Sequence, residues 1–234
     1  MIKLGIIGAM AIEVQTLKEK MTDLKIVQQA GMTFYDGKLE GLDAVVVECG
    51  IGKVNAALCV QVLCSCFAVT HIVNTGIAGS LNAELDIGDL VVSEDAMYHD
   101  LDATVFNYPL GQVPGLPVLQ FAADPVLVSM AFSAAQQVHN GHSRKGRIAS
   151  GDQFISDSDR KDKIVEITGA LCTEMEGAAI AHAAWKNGIP FVIIRAISDK
   201  ADGSAHMDYP TFEAAAAKRC ACVTCQMAKQ LCAY

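Results

Sequence analysis

The fold of this chain is most tightly constrained by apolar, strand-like segments that alternate with helical ones. Residues 2–8 and 191–197 are apolar almost throughout. A strand that is apolar on both faces must be covered on both sides, which is typical of a mostly parallel sheet packed between helices. We therefore predict a three-layer α/β protein in which helices flank a central mixed, mostly parallel sheet.

The same alternation places the individual elements along the chain. The predicted strands cover residues 2–8, 25–29, 32–39, 43–49, 71–75, 88–98, 145–150, 170–174 and 191–197. The predicted helices cover residues 12–21, 53–67, 124–138, 157–167, 176–187 and 210–231. Because no linker, repeat or low-complexity segment interrupts the pattern, we expect a single domain over residues 1–234.

Composition disfavours several classes of protein. Hydrophobic residues make up 52% of the 234 residues and charged residues 19%, which indicates a compact globular chain. The net charge of −8 disfavours nucleic acid and anionic membranes as partners, because both attract basic surfaces. The N-terminal segment does not resemble a signal peptide, and no apolar run is long enough to span a bilayer. We expect a cytoplasmic protein.

The nine cysteines are predicted to be free thiols, because most lie in apolar or helical segments of a chain without a secretion signal. Cys220, Cys222 and Cys225 are close in sequence, but no second ligand pair follows at zinc spacing. The turns at 8–13 and 50–53 lack the spacing of dinucleotide-binding and phosphate-binding loops. We therefore expect no metal site and no cofactor.

Two carboxylates lie where a short extended segment leads into an alanine-rich helix. Glu174 and Glu176 are two residues apart, and such side chains share a face on an extended segment. The dipole at the first helical turn favours negative charge, so we expect Glu176 to be ionised at neutral pH and to accept hydrogen bonds. Acids are common in a first turn, so this stretch alone also fits a structural role.

Further candidates follow other strands, because ligands of open α/β sheets bind beyond the carboxyl ends of the strands. Glu13 falls in the first turn of the helix after the first strand, and Phe154 follows the strand at 145–150. Ser198 and Asp199 end the last apolar strand. A helix-dipole acid, a core aromatic and a turn cap are the structural alternatives for these positions.

Two features of the predicted strands support a site at this edge. Arg195 lies in an otherwise apolar strand and needs an acidic partner, for which Glu174 is a candidate. The small residues of segment 76–79 allow either a flat ligand or a helix to approach the backbone closely.

The chemistry that remains at the strand ends is carboxylates, small residues and apolar or aromatic walls. The sequence has no G-x-S-x-G nucleophile elbow, no H-E-x-x-H pair and no ligand spacing among its six histidines. Paired carboxylates suit cleavage of a glycosidic bond, because the transition state resembles an oxocarbenium ion.

Six motifs occur together and in order. They are Gly-Ile-Ile-Gly-Ala-Met with Glu13, Cys-Gly-Ile-Gly-Lys-Val at 49–54, Asn-Thr-Gly-x-Ala-Gly at 74–79, Ser-Gly-Asp-x-Phe at 150–154, Glu-Met-Glu at 174–176 and Arg-Ala-Ile-Ser-Asp at 195–199. In this set the chain resembles, essentially end to end, the 5′-methylthioadenosine/S-adenosylhomocysteine nucleosidases of the purine nucleoside phosphorylase superfamily. The resemblance implies a nucleoside phosphorylase-like fold. It also implies an N-glycosyl hydrolase of methionine salvage that releases adenine from 5′-methylthioadenosine, S-adenosylhomocysteine and 5′-deoxyadenosine.

The resemblance also implies roles for individual residues. Glu13 would activate the attacking water, and Asp199, held by Ser198, would give a proton to N7 of adenine. Glu176 would bind the ribose hydroxyls. The other substrate-binding residues implied are Met175 under the sugar, Phe154 stacked on adenine, Ile155 reading the base edge through its backbone, and Ala9, Met10, Ile51, Ala78, Gly79 and Tyr209 around them. A homodimer is implied as well, with Ala103, Phe106 and Pro114 completing the site of the neighbouring subunit.

The chain departs from the family pattern at Ala11 and Ile12, where further acids are common, and at Ile77, where a small residue such as serine is expected. Three alternatives remain open. A phosphorolytic enzyme of the same superfamily is disfavoured because phosphate binding needs positive charge, whereas Glu13 would repel phosphate and the first arginine is Arg144. A nucleoside-binding protein without catalysis would lack one of the three carboxylates. A hydrolase of another purine nucleoside, such as a futalosine-type substrate, is the third.

Overall fold

The computed structural model describes residues 2–139 and 142–233. The strands are β1 (Lys3–Gly8), β2 (Thr22–Gln29), β3 (Met32–Leu39), β4 (Leu42–Glu48), β5 (His71–Ser80), β6 (Leu90–Tyr98), β7 (Phe121–Ala122), β8 (Ser143–Ser150), β9 (Cys172–Glu174) and β10 (Phe191–Asp199). The helices are α1 (Ala11–Lys20), α2 (Lys53–Phe67), α3 (Pro125–Val138), α4 (Ser158–Thr168), α5 (Gly177–Asn187) and α6 (Ala205–Cys232), with a 3₁₀ turn at Thr104–Phe106.

The α/β class is confirmed, but the description of the sheet as mostly parallel is wrong. Within the described residues, five strand pairings are parallel and five are antiparallel. Strand β10 pairs with both β5 and β6, so β5, β10, β6, β8 and β9 form a closed ring, and β1, β4, β3 and β2 extend from β5. Part of the sheet is therefore a closed barrel, and the fold is not a simple three-layer sandwich.

Strand β10 carries polar groups into the centre of the molecule. All nine of its residues are buried, as expected for a strand with near-continuous apolar sequence and sheet partners on both edges. Arg195, Ser198 and Asp199 interrupt this apolar strand and are held rigidly by its hydrogen-bonded neighbours. Burying polar side chains without partners is costly, so their presence here marks the position of a polar site.

Three predicted boundaries are wrong by three residues or more, and strand β7 was not predicted. Strand β2 begins at Thr22, three residues before the predicted start. The segment 76–79 was expected to follow the strand, but β5 continues to Ser80 because Gly76, Ile77 and Ala78 still pair with β10. Helix α6 begins at Ala205, five residues before the predicted start, and Pro210 lies inside it.

The predicted tight turn after β4 is confirmed. Gly50 and Gly52 adopt positive φ angles of 87° and 98°, a region that glycine enters without the steric cost of a Cβ atom. Gly52 is then the N-cap residue of α2.

None of the helices in the described part of the chain is long and apolar enough to cross a bilayer. All nine cysteines are free thiols. Over residues 2–139 and 142–233, no group of three or more His, Cys, Asp or Glu side chains has an arrangement that could hold a metal ion.

Candidate active site

A cavity opens where β1, β5, β9 and β10 end. Every site residue predicted from the sequence except Phe106 lines it. These are Ala9, Met10, Glu13, Ile51, Ala78, Gly79, Phe154, Ile155, Met175, Glu176, Ser198, Asp199 and Tyr209. Carboxylates from three distant parts of the sequence, Glu13, Glu176 and Asp199, therefore face a common space.

Glu13 is buried in the first turn of α1, and its carboxylate is held by backbone amides from two elements. Its Oε2 accepts hydrogen bonds from Ala9 N (2.7 Å) and Met10 N (3.0 Å), and its Oε1 accepts one from Ile77 N (3.0 Å). Burial raises the pKa of Glu13 above its ordinary value, although Arg195 and these amides favour the charged form. The carboxyl is thus fixed in position and has an increased proton affinity.

Behind the cavity, Arg195 and Glu174 form the buried ion pair that the sequence predicted. Arg195 Nη2 lies 2.5 Å from Glu174 Oε2 and 2.5 Å from Asn74 Oδ1. Ser150 Oγ and the amide of Gly177 also donate to the Glu174 carboxylate. Burial opposes ionisation of Glu174, but Arg195 and these donors outweigh it, so the pKa of Glu174 lies below its ordinary value. Glu174 is a fixed negative charge.

Glu176 is the N-cap residue of α5, and its Oε1 accepts a hydrogen bond from Gly52 N at 2.8 Å. Burial, together with the charge of nearby Glu174, raises the pKa of Glu176 to about 8. Burial beside a second carboxylate therefore opposes the ionised form of Glu176 that the helix terminus alone favours.

Asp199 lies at the end of β10 and is almost fully buried. Its Oδ2 accepts a hydrogen bond from Ser198 Oγ at 2.9 Å and its Oδ1 accepts one from Ala201 N at 2.8 Å. Burial raises the pKa of Asp199 above its ordinary value. The adjacent Lys200 donates from Nζ to Asp86 Oδ1 at 2.9 Å.

The open side of the cavity has an aromatic wall. The rings of Phe154 and Tyr209 meet edge to face with their centroids 5.5 Å apart, and Tyr209 Oη donates to Met10 Sδ at 3.2 Å. Phe154 is 49% exposed, so one face of its ring is free to stack on a planar ligand.

An ion-pair cluster joins the loops around the cavity. Lys53 Nζ lies 2.6 Å from Asp100 Oδ2, and Lys53 N donates to Asp152 Oδ1 at 2.8 Å. Asp152 N in turn donates to Asp100 Oδ2 at 2.9 Å. The segment that holds Gly52 against Glu176 is thereby tied to the segment that carries Phe154.

Four lining residues were not assigned to the site from the sequence: Ile77, Gln153, Thr173 and Glu174. Gln153 and Glu174 directly adjoin predicted site residues, and Thr173 precedes Glu174, so their proximity to the motifs was the available signal. Ile77 was noted only as a departure from the family pattern.

Phe106 does not line the cavity. It lies in the exposed 3₁₀ turn and is itself 74% exposed. The neighbouring Val105 is also exposed, whereas Ala103 is buried.

Comparison with known proteins identifies the family. A sequence model of the Phosphorylase superfamily matches residues 3–229. The 5′-methylthioadenosine/S-adenosylhomocysteine nucleosidase of Staphylococcus carnosus (strain TM300) is 43% identical over 230 residues, which cover 97% of this chain and 100% of that protein. The chain belongs to the 5′-methylthioadenosine/S-adenosylhomocysteine nucleosidase family. The expectation that the chain is an N-glycosyl hydrolase is confirmed by the same family membership.

Solved structures support the assignment of the chain to this nucleosidase family. The nucleosidase of Neisseria meningitidis, in complex with methylthio-immucillin-A, matches with a TM-score of 0.95 and 37% identity over 98% of this chain and 100% of that chain. The futalosine hydrolase of Helicobacter pylori strain 26695 matches with a TM-score of 0.93 and 32% identity over 98% of each chain.

The departure at Ile77 from the nucleosidase pattern has a structural explanation. Residue 77 holds Glu13 through its backbone amide, at 3.0 Å, and not through its side chain. A change of side chain therefore leaves the contact to Glu13 in place and alters only the wall of the cavity.

Proposed function

We propose that this chain hydrolyses the N-glycosidic bond of 5′-methylthioadenosine and S-adenosylhomocysteine, and also of 5′-deoxyadenosine. The products are adenine and the 5′-substituted ribose. Water attacks the sugar in an oxocarbenium-like transition state, and Asp199 protonates N7 of the leaving base.

One observation carries the choice of a hydrolase over a phosphorolytic enzyme. Four carboxyl groups line the cavity, and among the described residues no lysine, arginine or histidine does. Phosphate recognition needs cationic partners, usually arginine, to offset the charge of the anion. A neutral water molecule is compatible with this cavity, whereas a phosphate anion would be repelled by it.

The proposed acid is Asp199. Its buried position raises its pKa, which increases the fraction of the neutral form that can donate a proton. The bond from Ser198 fixes one carboxyl oxygen, so the carboxyl has a defined orientation towards the base. Phe154, half exposed at the mouth, supplies a face on which adenine stacks.

The proposed base is Glu13, and Glu176 is proposed to bind the ribose hydroxyls. A raised pKa improves Glu13 as a proton acceptor, because general bases work best when their pKa approaches the operating pH. Glu176, with a pKa of about 8, can donate a hydrogen bond to the sugar when protonated. Positive charge developing on the sugar favours its ionised form, so its electrostatic contribution grows toward the transition state.

The decisive experiment measures adenine release from the three nucleosides with and without inorganic phosphate, and identifies the sugar product. We expect free 5′-substituted ribose and no dependence on phosphate; a sugar phosphate as the sole product would refute the hydrolase. Asp199→Asn should bind adenine normally but lose about 10²–10⁴-fold in kcat. An Asp199→Asn variant with full activity would remove the acid role.

We further propose a cytoplasmic homodimer, in which Ala103, Phe106 and Pro114 complete the neighbouring site and neither nucleic acid nor a membrane is a partner. Phe106 is exposed and does not line the cavity of its own chain, which supports this role. The nine free thiols fit a reducing compartment. Phe106→Ala should raise KM for 5′-methylthioadenosine. Sedimentation that gives only monomers at assay concentration would contradict the dimer.

A second candidate substrate is futalosine, because a futalosine hydrolase matches the chain with a TM-score of 0.93. The same assay with futalosine decides between the two. Preference for futalosine by kcat/KM would reassign the substrate while leaving the proposed hydrolytic chemistry intact.

A further inference from the structure

A thiol from the closing helix reaches the back of the candidate active site. Cys220 of α6 is completely buried. Its Sγ accepts a hydrogen bond from Thr75 Oγ1 at 3.2 Å and one from Gly76 N at 3.4 Å, and it donates to Ile194 O at 3.2 Å. The sulfur therefore connects β5 and β10 at one level of the sheet.

The other side of this stretch of β5 holds the proposed base. A Cβ atom built on Gly76 would lie 2.4 Å from Glu13 Oε1 and 3.1 Å from Arg195 Nη1, so the Glu13 carboxylate is packed directly against the Gly76 backbone. The next amide, that of Ile77, donates to the same oxygen at 3.0 Å. Two consecutive backbone amides therefore donate to different groups: Gly76 N donates to the Cys220 thiol and Ile77 N donates to the Glu13 carboxylate.

The thiol keeps its proton under ordinary conditions. Burial raises the pKa of Cys220 to about 11, so the S–H group can donate to Ile194 O while the sulfur accepts from the strand opposite. Thr224, one turn further along α6, donates from Oγ1 to Thr75 Oγ1 at 3.1 Å and so supports the same contact. A methyl group in place of the thiol would remove the acceptor of Thr75 Oγ1 and Gly76 N, whereas Ile194 O would still accept from Arg195 Nη1.

We propose that Cys220 is a positioning residue for Glu13. Its thiol fixes the backbone at Gly76 so that the amide of Ile77 stays directed at the Glu13 carboxylate. The inference rests on the proposed function, in which Glu13 activates the water. It gives one of the unusually numerous cysteines a defined part in the site, although Cys220 touches no substrate.

The test compares three variants with 5′-methylthioadenosine as substrate and adenine as a binding probe. Cys220→Ala should lower kcat about fivefold, the equivalent of one lost hydrogen bond, while KM and adenine affinity change less than about twofold. Cys220→Ser, which restores a hydroxyl donor and acceptor, should recover most of the loss. Cys225→Ala is the matched control, because Cys225 is buried on the same helix but near Lys20 and Glu40.

The pH profile distinguishes positioning from a merely structural role. The Ile77 amide lowers the pKa of Glu13, so a misdirected amide should move the acidic limb of kcat/KM to higher pH in Cys220→Ala. Arg195, Glu176, Cys49 and Tyr209 also face Glu13, and the substitution changes none of them. Loss of folded protein alone would lower activity without moving the limb.

The outcomes separate this inference from the proposed function. A wild-type enzyme that is active, with a Cys220→Ala variant of unchanged kcat and pH profile, overturns the positioning role alone. A wild-type protein that releases no adenine overturns both. Should Cys220→Ala fail to fold, Thr75→Val is the substitute, because it removes one donor to the same sulfur. Thr75→Val must then lower kcat and move the acidic limb of kcat/KM to higher pH. A Thr75→Val variant with unchanged kcat and pH profile would refute the proposal.

Discussion

Replacing Arg195 by methionine tests how the core of the site is held together. The guanidinium is 2% exposed and its partner Glu174 is 4% exposed, measured on the side chains. Arg195→Met would leave the Glu174 carboxylate in the protein interior without its counter-charge. Methionine keeps much of the volume of the arginine stem, so the main change is the loss of charge.

The expected cost is large. Removing one partner of a buried ion pair typically destabilises a protein by about 3–5 kcal/mol, because the remaining charge is uncompensated. For a chain of this size each kcal/mol lowers the melting temperature by roughly 2–4 °C, so the expected drop is roughly 6–20 °C. Urea denaturation and calorimetry should give consistent values.

The stability lost in Arg195→Met should also depend on pH. In the wild type the pKa of Glu174 is depressed in the folded state, so its stabilising contribution is present above the unfolded value of 4.5 and is lost as the pH falls through the folded value. Without Arg195, only the hydrogen bonds to Glu174 offset the effect of its burial, so the pKa of Glu174 in the folded state rises. The destabilisation should therefore be larger near neutral pH than under mildly acidic conditions, where Glu174 of the variant takes up a proton.

Arg147→Met is the matched control. Arg147 Nε lies 2.5 Å from Asp95 Oδ1, but the arginine side chain is 28% exposed and the aspartate 19%. A partly solvated pair of this kind is typically worth less than about 1 kcal/mol. The reasoning fails if Arg195→Met costs no more than Arg147→Met, or if the double variant Glu174→Gln/Arg195→Met costs as much as the two single changes added together.

Three further changes test the site. Glu13→Gln keeps the shape of the side chain but should lower kcat by about 10²–10⁴-fold, and wild-type turnover would exclude it as the base. Glu176→Gln should gain stability relative to wild type as the pH rises from 4.5 to about 8, because the folded wild type must hold a proton that its unfolded chain releases. A stability difference between variant and wild type that is the same at both ends of this range would contradict the raised pKa. Phe154→Ala should weaken adenine binding by about 1–3 kcal/mol, the usual worth of base stacking on an aromatic ring. Its melting temperature should hardly change because Phe154 is half exposed, and unchanged titration calorimetry with adenine would argue against stacking.

The edge of the sheet that holds the site could be predicted from local patterns in the sequence, whereas lining residues such as Met10, Ile51 and Tyr209 were expected only from the family resemblance. Apolar strands that end in glycine, serine or acidic residues mark the carboxyl edge of a sheet, and the cavity lies there. The Arg195–Glu174 pair followed from a simple requirement that a buried charge needs a partner.

What could not be predicted depends on long-range pairing and burial. Closure of the ring needs β10 to pair on both of its edges and the three-residue β9 to bridge β5 and β8, and neither pairing leaves a signal in the local pattern. The raised pKa of Glu176 could not be predicted, because the helix terminus was visible in the sequence whereas the depth of burial beside Glu174 was not.

The charge pattern of the cavity has a thermodynamic consequence for the proposed reaction. An enzyme that transfers a sugar to phosphate keeps the energy of the glycosidic bond in a new ester and can run in either direction. The cavity is lined by carboxyl groups and, over the part of the chain that the structure describes, by no basic side chain. It therefore offers phosphate no cationic partner. With water as the only acceptor that energy is dissipated, so the breakdown of the nucleoside becomes a one-way step and the sugar leaves unactivated.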